Sequence, residues 1–518
     1  MFEGPRSTLS PGGNLALEDA FLREIEWSDP ARLARGLEAI GATHISLLES
    51  GLPESPWGIW TFLAWNPARA LEHRRGIWSF SGGEKADARA GSDPFAFVAS
   101  LAAEPQRPWQ TLSAEWEKFA RAGASVGAGT SATGPRAPLP AGTPRPPFRG
   151  GWMIALSYDA ARALDDFAPW KSRATDDLDW PWFDLRITGA LLAFHHPSAR
   201  AFAVASRHPA FGAPEEALDR MAANLSAARR APSSEGGASA PSPAELHSNM
   251  TDAEYGAAFE RVQEYLRAGD LYQANLTRRF DAPSTDPASL LYARLRERAR
   301  APYGALFTAP DRAVVSASPE LFLARDGQRL VTRPIKGTRP RGGDAAEDAR
   351  LMAELAASPK DRAEHVMIVD VHRNDLGRVC DYGTVRAETL AGHEVFLTVH
   401  HLTSTITGTL RAGVGSWEAI AAAFPAGSIT GAPKRRAIEV LEELEPTRRA
   451  QYTGGLGWMG FDGNFGLNVA IRTILVSQGR ASYQAGGGIV IDSKLDEEAA
   501  ETWSKARAMH AAVSARAG

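Results

Sequence analysis

The chain has 518 residues, a formal net charge of −4 and 44% hydrophobic residues, which is ordinary for a soluble globular protein. This charge gives no reason to expect a nucleic-acid partner or binding to an anionic membrane. The one cysteine, Cys380, excludes an internal disulfide framework and a cysteine-based zinc cluster. The N-terminus lacks a signal-peptide pattern, and no apolar run approaches the roughly 20 residues of a membrane span, so we expect a cytoplasmic protein.

Two low-complexity stretches divide the chain. Residues 122–147 are rich in Gly, Ala, Thr and Pro, and residues 230–249 begin with a run rich in Ser, Gly, Ala and Pro. Neither composition buries enough apolar surface to offset the entropy of ordering it, so we interpret the first as a surface insertion and the second as a linker. The resulting division is an N-terminal region at 1–229, the linker, and a catalytic region at 250–518.

An aromatic cluster is the most conspicuous feature of the N-terminal region. It consists of Trp57, Trp60, Phe62 and Trp65. Aromatic side chains bury large apolar areas, and these four carry no catalytic chemistry that we can identify. We therefore predict that they pack in the core.

Helices and strands alternate irregularly after the linker. Thr251 and Glu254 have capping-box spacing, and the helix that they begin should end near Gly269. Two further helices should begin near Pro359 and Leu495. Strands are predicted at residues 272–280, 313–316, 469–476 and 488–491. Mixed elements of this kind, with hairpin turns, indicate an α+β fold rather than a parallel wound sheet.

Glu320 and Lys336 flank a predicted hairpin. Leu321–Arg325 and Arg329–Arg333 have strand patterns, and Asp326-Gly327 is a typical two-residue turn between them. Residues on either side of such a hairpin return to the same end of a sheet, so we expect both side chains in one pocket. There a desolvated lysine could act as a nucleophile and a neutral carboxyl group as an acid. The alternative is a Lys–Glu ion pair on the surface.

The segments Ser316-Ala-Ser-Pro-Glu320 and Pro334-Ile-Lys-Gly-Thr338 resemble the chorismate-utilising enzymes. The resemblance extends from about Thr251 to the C-terminus and, more weakly, through the first two hundred residues. It implies a two-sheet α+β core flanked by helices, to which the N-terminal half contributes strands. Within the family, lysine at position 336 resembles the branch that aminates chorismate at C4, because anthranilate synthase component I typically has alanine there.

Two acidic pairs have helical spacing. Asp361 and Glu364 are three residues apart near one helix start, and Glu498 and Glu501 have the same spacing near another. Either pair alone is typical of charges that complement a helix dipole. Together with the family resemblance they indicate opposed walls of a Mg²⁺ site, in which Glu364 and Glu501 match the ligands and the other two close the outer shell. The resemblance implies that Mg²⁺ holds the ring carboxylate of chorismate.

A dianionic substrate needs further hydrogen-bond donors, and the resemblance supplies them. Tyr452 and Arg472 match the residues that bind the enolpyruvyl carboxylate, and His401 matches a histidine near the ring and its leaving hydroxyl. The remaining substrate-binding predictions are Gly337, Thr338, Thr430, Gly486, Gly487, Gly488 and Lys505. Thr430 lies in Gly427-Ser-Ile-Thr-Gly-Ala-Pro-Lys434, which departs from a P-loop because Ala432 and Pro433 separate the last glycine from the lysine.

The resemblance implies the following reaction. Lys336 attacks C2 of chorismate while Glu320 protonates the departing C4 hydroxyl, and ammonia then adds at C4 and expels the lysine, giving 4-amino-4-deoxychorismate for folate biosynthesis. Cys380 has no flanking glycines of a nucleophile turn. We therefore expect a separate glutamine amidotransferase subunit to supply the ammonia.

Two alternatives within the family stay open. Anthranilate synthase component I aminates C2 and eliminates pyruvate, and the Leu-Leu-Glu-Ser run that ends at Ser50 slightly favours it. In isochorismate and salicylate synthases a lysine activates water at C2. By resemblance, Ser50, Pro302 and Tyr303 form a candidate tryptophan site.

Overall fold

The computed structural model describes residues 14–17, 19–50, 58–81, 101, 107–124, 142–167, 172–231, 246–396 and 399–514. The strands are β1 Asn14–Ala16, β2 Ala20–Ile25, β3 Ser46–Glu49, β4 Trp60–Ala64, β5 Arg69–Arg74, β6 Ile77–Ser81, β7 Gly151–Leu156, β8 Phe183–Thr188, β9 Ala190–His195, β10 Arg200–Ser206, β11 His247–Ser248, β12 Gln273–Pro283, β13 Tyr303–Ala309, β14 Arg312–Ser318, β15 Leu321–Asp326, β16 Arg329–Arg333, β17 Ile335–Pro340, β18 Arg386–Val395, β19 Val399–Thr409, β20 Gly431–Ala432, β21 Gly455–Gly460, β22 Phe465–Val469, β23 Thr473–Ser477 and β24 Arg480–Ile489. The helices are α1 Pro30–Ala39, α2 Pro108–Ala124, α3 Pro214–Arg230, α4 Asp252–Arg267, α5 Ala288–Arg298, α6 Ala345–Ala357, α7 Pro359–Gly377, α8 Ser416–Ala423, α9 Lys434–Leu444 and α10 Leu495–Ser514. In these ranges no helix has both the length and the apolar character that crossing a membrane requires.

The strands form two sheets built from antiparallel pairs. The first has the order β1-β2-β10-β9-β4-β3-β13-β14-β23-β24-β12-β11, with β20 beside β12. The second has the order β17-β19-β16-β15-β22-β21-β7-β8-β5-β6, with β18 beside β19. In each sheet, strands that lie before residue 207 join strands that lie after residue 246 through one ladder, β3 with β13 and β7 with β21. The predicted two-sheet α+β fold is confirmed.

Four apolar clusters hold the sheets and helices together, and the smallest packs α4 and α9 against the end of the first sheet. A central cluster joins the facing sides of the sheets, with Phe62 and Phe307 from the first sheet and Met153 and Leu456 from the second. The outer side of the first sheet packs against α1, α3, α5 and α10. The outer side of the second packs against α2, α7 and α8. Because each sheet is covered on both faces, side chains at sheet ends and on helix faces are left to build a site.

The aromatic cluster of the N-terminal region largely follows its prediction. Phe62 is 3% exposed and Trp65 is 8% exposed, so core packing is confirmed for both. Trp60 is half-buried and stacks on Phe62 with ring centroids 6.2 Å apart. Trp57 lies outside the described residues.

The predicted helix starts are confirmed at the level of individual hydrogen bonds. The Thr251 side chain accepts from the Glu254 amide, and the Glu254 side chain accepts from the Thr251 amide, which completes the capping box of α4. Ser358 caps α7 by accepting from the Asp361 amide at 3.2 Å. Asp361 and Glu498 lie in the first turns of α7 and α10, and Glu364 and Glu501 follow three residues later, so both acidic pairs lie near helix starts, as predicted.

Two predicted strands and one predicted turn need correction. The strand predicted at 488–491 is the end of the longer strand β24, which finishes at Ile489. The predicted strand at 469–476 is two strands, because the chain turns at Arg472, whose φ of 52° is incompatible with an extended strand. The hairpin turn is Gly327-Gln328 rather than Asp326-Gly327, since Asp326 pairs with Arg329 across the ladder. Gly327 takes the left-handed position of the turn with φ 58°.

The two low-complexity stretches lie mostly outside the described residues, which omit 125–141 and 232–245. Helix α2 extends to Ala124, three residues into the first stretch. At the far end of the second stretch, β11 pairs with β12.

Candidate functional site

Glu320 and Lys336 come together at one end of the hairpin formed by β15 and β16. Leu321, the first residue of β15, pairs with Arg333, the last residue of β16. Glu320 comes directly before β15 and Lys336 shortly after β16, so both lie at this end of the hairpin. Glu320 is 3% exposed, and its carboxylate accepts a hydrogen bond from Ser428 Oγ at 2.5 Å. Burial raises the pKa of Glu320 to about 7, although Ser428 and Lys336 oppose the shift. A carboxyl group with this pKa is partly protonated near neutral pH and can serve as an acid.

Lys336 lies in a bulge of β17. Ile335 pairs with Thr403 and Thr338 pairs with His401, so β17 contains one more residue than β19 between these pairs. The bulge depends on Gly337, whose φ is 83°. A Cβ atom at Gly337 would lie 3.0 Å from the Leu355 side chain, so a larger residue would also press on Leu355.

The Lys336 amine reaches across to the first sheet. Its Nζ lies 2.7 Å from the position that a Cβ atom would take on Gly488 of β24. Burial lowers the pKa of Lys336, and Lys505 lowers it further, while Glu364, Glu501 and Glu320 act in the opposite direction. Glu320 and Lys336 thus have pKa values shifted toward each other, which favours neutral acid and neutral amine in one pocket.

Gln273 is a site residue that sequence reasoning missed. It begins β12, is 0% exposed, and has neither a donor to its amide oxygen nor an acceptor for its amide nitrogen among the described residues. Its amide lies beside Gly488, within 3.0 Å of the same hypothetical Cβ that Lys336 approaches. A buried amide without partners is costly and therefore points to a ligand. The only sequence signal was a glutamine inside a buried strand.

The two acidic pairs face one another across the site. Burial raises the pKa of Glu364 of α7 and of Glu498 of α10, and the charge of Glu498 raises the pKa of Glu364 further. Glu498 Oε1 accepts from Ser493 Oγ at 2.7 Å, whereas its Oε2 is buried, has no donor in the described part of the chain and lies against Gly487. Two of these acids have cationic partners, Glu501 with Lys505 at 2.6 Å and Asp361 with Arg339 at 3.0 Å.

A divalent cation fits the chemistry of this acidic region in one respect. The unpartnered Oε2 of Glu498 is the kind of hard oxygen that such a cation prefers, and the charge of Glu498 raises the pKa of Glu364 on the facing helix. Over the ranges that the structure describes, however, no three His, Cys, Asp or Glu side chains are arranged to hold a metal ion. The cationic partners of Glu501 and Asp361 occupy part of the predicted ligand set.

Three consecutive glycines make room for three different groups. A Cβ atom would lie 2.1 Å from the Leu276 carbonyl oxygen at Gly486, 2.5 Å from Glu498 Oε2 at Gly487 and 2.7 Å from Lys336 Nζ at Gly488. The sequence predicted free backbone for the substrate here. The structure shows that these glycines also admit the acid and the amine of the site.

The predicted carboxylate-binding residues line the same region. Burial lowers the pKa of Arg472, whereas Tyr452 and Glu501 raise it. His401 Nδ1 lies 2.9 Å from Thr338 Oγ1, and burial lowers the pKa of His401 to about 3, so its ring is neutral. Lys505 binds the Gly486 carbonyl at 3.0 Å in addition to Glu501.

The loop at residues 427–434 differs from its predicted role in one detail. The Thr430 hydroxyl donates to the Ala426 carbonyl at 3.0 Å, so its hydrogen is used inside the loop. Lys434 donates to Asp375 at 2.8 Å and to the Ala423 carbonyl at 2.9 Å. An anchored ammonium is unavailable to a phosphate, in agreement with the departure of this loop from a P-loop.

The residues of the candidate tryptophan site also come together. Ser50 is 3% exposed and its hydroxyl has no hydrogen-bond partner among the residues that the structure describes, while Ser50 and the Pro302 carbonyl both lie against Gly58. Burial raises the pKa of Tyr303 to about 12. Glu49, which sequence reasoning did not single out, accepts from the Tyr292 hydroxyl at 2.7 Å and pairs with Arg296 at 2.8 Å.

Comparison with known proteins gives matches over most of the chain. Residues 82–511 match the family model of the chorismate binding enzymes. An anthranilate synthase component 1 of Streptomyces coelicolor is 41% identical over 378 residues, which cover 71% of this chain and 73% of that protein. An aminodeoxychorismate synthase component 1 of Bacillus subtilis is 37% identical over 380 residues, which cover 71% of this chain and 78% of that protein.

Solved structures support the same relationship. Anthranilate synthase component I from Streptococcus pneumoniae aligns with a TM-score of 0.69 and 26% identity over 88% of this chain and 93% of that chain. The menaquinone-specific isochorismate synthase MenF of Escherichia coli aligns with a TM-score of 0.65 at 14% identity, over 98% of this chain and 96% of that chain. The second match concerns the fold alone.

Proposed function

The chain belongs to the chorismate binding enzyme family, and we propose that it aminates chorismate at C4, as an aminodeoxychorismate synthase component 1. The observation that carries this proposal is the pairing of Lys336 with Glu320. Burial lowers the pKa of the amine and raises that of the acid within one pocket. A nucleophile that occupies C2 blocks ammonia from that carbon and directs it to C4.

The proposed reaction has two displacements. The neutral Lys336 amine forms a bond to C2, the two conjugated ring double bonds shift, and the C4–O bond breaks as Glu320 gives its proton to the departing hydroxyl, which leaves as water. Ammonia then forms a bond to C4, both double bonds shift back, and the bond between C2 and Lys336 breaks. The product keeps the enolpyruvyl group, and the lysine and acid are restored by proton transfer.

The Gln273 side-chain amide can form a hydrogen bond with ammonia in the second step. Its buried amide has no partner among the described residues and lies beside the position of the Lys336 amine. A neutral carboxamide accepts a hydrogen bond from ammonia without removing its proton.

We propose that Mg²⁺ is the cofactor of this site. Glu364 and Glu501 would be its ligands, with Glu498 and Asp361 in the outer shell, and the unpartnered Glu498 oxygen supports the assignment. When bound, the cation would hold the ring carboxylate and withdraw electrons from the ring. Arg472 and Tyr452 would orient the enolpyruvyl carboxylate, and neutral His401 would contact the ring near the leaving hydroxyl.

The ammonia would come from a glutamine amidotransferase subunit. Cys380, the one cysteine of the chain, is 4% exposed, and burial raises the pKa of its thiol to about 11. Such a thiol is protonated at neutral pH and does not attack glutamine. The relatives from Streptomyces and Bacillus are each named as component 1, which supports a two-component system.

Anthranilate synthesis is the second candidate, because the Streptomyces anthranilate synthase component 1 is 41% identical to this chain. One assay distinguishes the two. Purified protein is incubated with chorismate, Mg²⁺ and ammonium, and the product is identified by mass and chromatography. We expect 4-amino-4-deoxychorismate, whereas anthranilate, isochorismate or salicylate would each reject the proposal.

A further inference from the structure

The bulge that contains Lys336 interrupts the regular backbone pairing between β17 and β19. Ser404 donates its amide to the Pro334 carbonyl at 3.2 Å, and regular pairing with β19 resumes only at Thr338. The backbone of Lys336 and Gly337 lies between these points. A bulged backbone holds its direction only when neighbouring groups fix it. The direction of the Lys336 side chain therefore depends on contacts from outside the ladder.

His365 of α7 lies against this bulge. The residue is 1% exposed, and its Nε2 lies 2.6 Å from Ser404 Oγ. Ser404 Oγ also accepts from the Ala391 amide at 2.9 Å. Ser404 is 0% exposed, so its hydroxyl hydrogen needs a buried acceptor, and His365 Nε2 provides one.

This hydrogen-bond direction fixes the tautomer of His365. Because Nε2 accepts, Nδ1 carries the hydrogen. Nδ1 is buried and forms no ordinary hydrogen bond with any of the described residues, and the backbone of Lys336 is the group with which the ring interacts. The N–H of His365 is thus directed at the bulge, while Ser404 ties the ring to β19 and β18.

We propose that His365 and Ser404 are positioning residues that hold the backbone bulge at Lys336 and so set the direction of its amine. His365 is linked to Ser404 by its Nε2 and interacts with the backbone of Lys336, so it acts through the backbone. The kinetic consequence rests on the proposed function, because Lys336 is the nucleophile there. A displacement of about 1 Å at a reacting group can cost on the order of 100-fold in rate.

The same helix supplies a matched control. His372 lies two turns beyond His365, is 3% exposed, and bonds through Nδ1 to Thr332 Oγ1 at 2.9 Å. The Thr332 hydroxyl donates to the Phe322 carbonyl at 2.6 Å. His372 therefore supports the regular hairpin rather than the bulge. His365→Leu and His372→Leu each remove one buried ring with one hydroxyl contact.

Steady-state kinetics and thermal unfolding test the proposal. In His365→Leu we expect kcat to fall about 100-fold with the KM for chorismate changed less than about threefold. The kcat of His365→Asn should be about tenfold higher than that of His365→Leu, because the asparagine amide places an N–H near the position of Nδ1. His372→Leu should destabilise the protein to a similar degree with little loss of kcat. Equal losses of kcat in the two leucine variants, or no rescue by asparagine, would overturn the proposal.

Hydrogen exchange tests the same contact without substrate. Exchange of the backbone amides in residues 333–340 should be about fivefold faster in His365→Leu and in the milder variant Ser404→Ala than in the wild type, and unchanged in His372→Leu. Unchanged exchange in the first two variants would reject the positioning role. If the wild type makes no C4-aminated product, the proposed function fails, but the exchange comparison still decides whether His365 holds the bulge.

Discussion

Gly488→Ala should disable the site while leaving the fold intact. The added Cβ atom would lie 2.7 Å from Lys336 Nζ and 2.9 Å from Gln273 Cδ. Non-bonded heavy atoms pack at roughly 3.5–4.0 Å, so one group must move by about 1 Å. The Lys336 amine is the end of a flexible side chain and will move at little cost in folding free energy. Gly488 has an ordinary negative φ, so alanine adds no backbone strain.

The expected effect follows from this geometry. A nucleophile displaced by about 1 Å loses on the order of 100-fold in kcat, which corresponds to about 2.7 kcal/mol of barrier. Gly455→Ala is the matched control, because its Cβ would meet the Asn468 carbonyl oxygen at 3.4 Å and no closer atom. Both variants should unfold within a few degrees of the wild type. Wild-type kcat in Gly488→Ala with ammonium and chorismate would refute the placement of the amine against Gly488.

Three further predictions concern the proposed catalytic groups. Lys336→Ala should reduce C4 amination by at least about 100-fold while chorismate binding persists, as calorimetry can measure. Glu364→Gln and Glu501→Gln should each raise the Mg²⁺ concentration for half-maximal rate by about tenfold, and more than Glu498→Gln does, because an amide lacks the charge that a hard cation needs. The rate per unit of free NH₃ should fall as pH rises above about 7, because Glu320 loses the proton that it donates.

Each of these has a defined contrary result. Full activity in Lys336→Ala would remove the nucleophile from the account. Equal and small effects at Glu364, Glu501 and Glu498 would mean that the pairs are only helix-start charges. For the pH profile, Glu320→Gln is the control, since it has no carboxyl group to titrate. A fall above pH 7 that survives in Glu320→Gln would assign the titration to another group.

Local signals in the sequence predicted the outline of this structure well. The capping box at Thr251, the cap at Ser358 and the helix that begins at Leu495 depend on residues close in sequence, and each is confirmed. The meeting of Glu320 and Lys336 followed from the hairpin alone, since residues flanking a hairpin return to one end. The turn of this hairpin lies one residue later than predicted, but Glu320 and Lys336 still meet at its end.

Features that depend on distant residues were not predictable in this way. The break at Arg472 follows from a positive φ that the apolar pattern of 469–476 does not reveal. Gln273 belongs to the site because β12 pairs with β24, the strand that contains Gly488. This pairing brings Gln273 to Gly488, which the Lys336 amine also approaches, although the two residues are 63 positions apart in sequence. The hydrogen bond of Thr430 to Ala426 likewise depends on loop conformation, which residue types alone do not fix.

The central claim is that Lys336 forms a covalent bond to the ring. Mass spectrometry of the protein incubated with chorismate and Mg²⁺ but without ammonia tests it most directly, with Lys336→Ala as the control. We predict an adduct with the mass of chorismate less water on the peptide that contains Lys336, and its loss when ammonium is added. An adduct on a different residue, or rapid C4 amination by Lys336→Ala, would contradict the account.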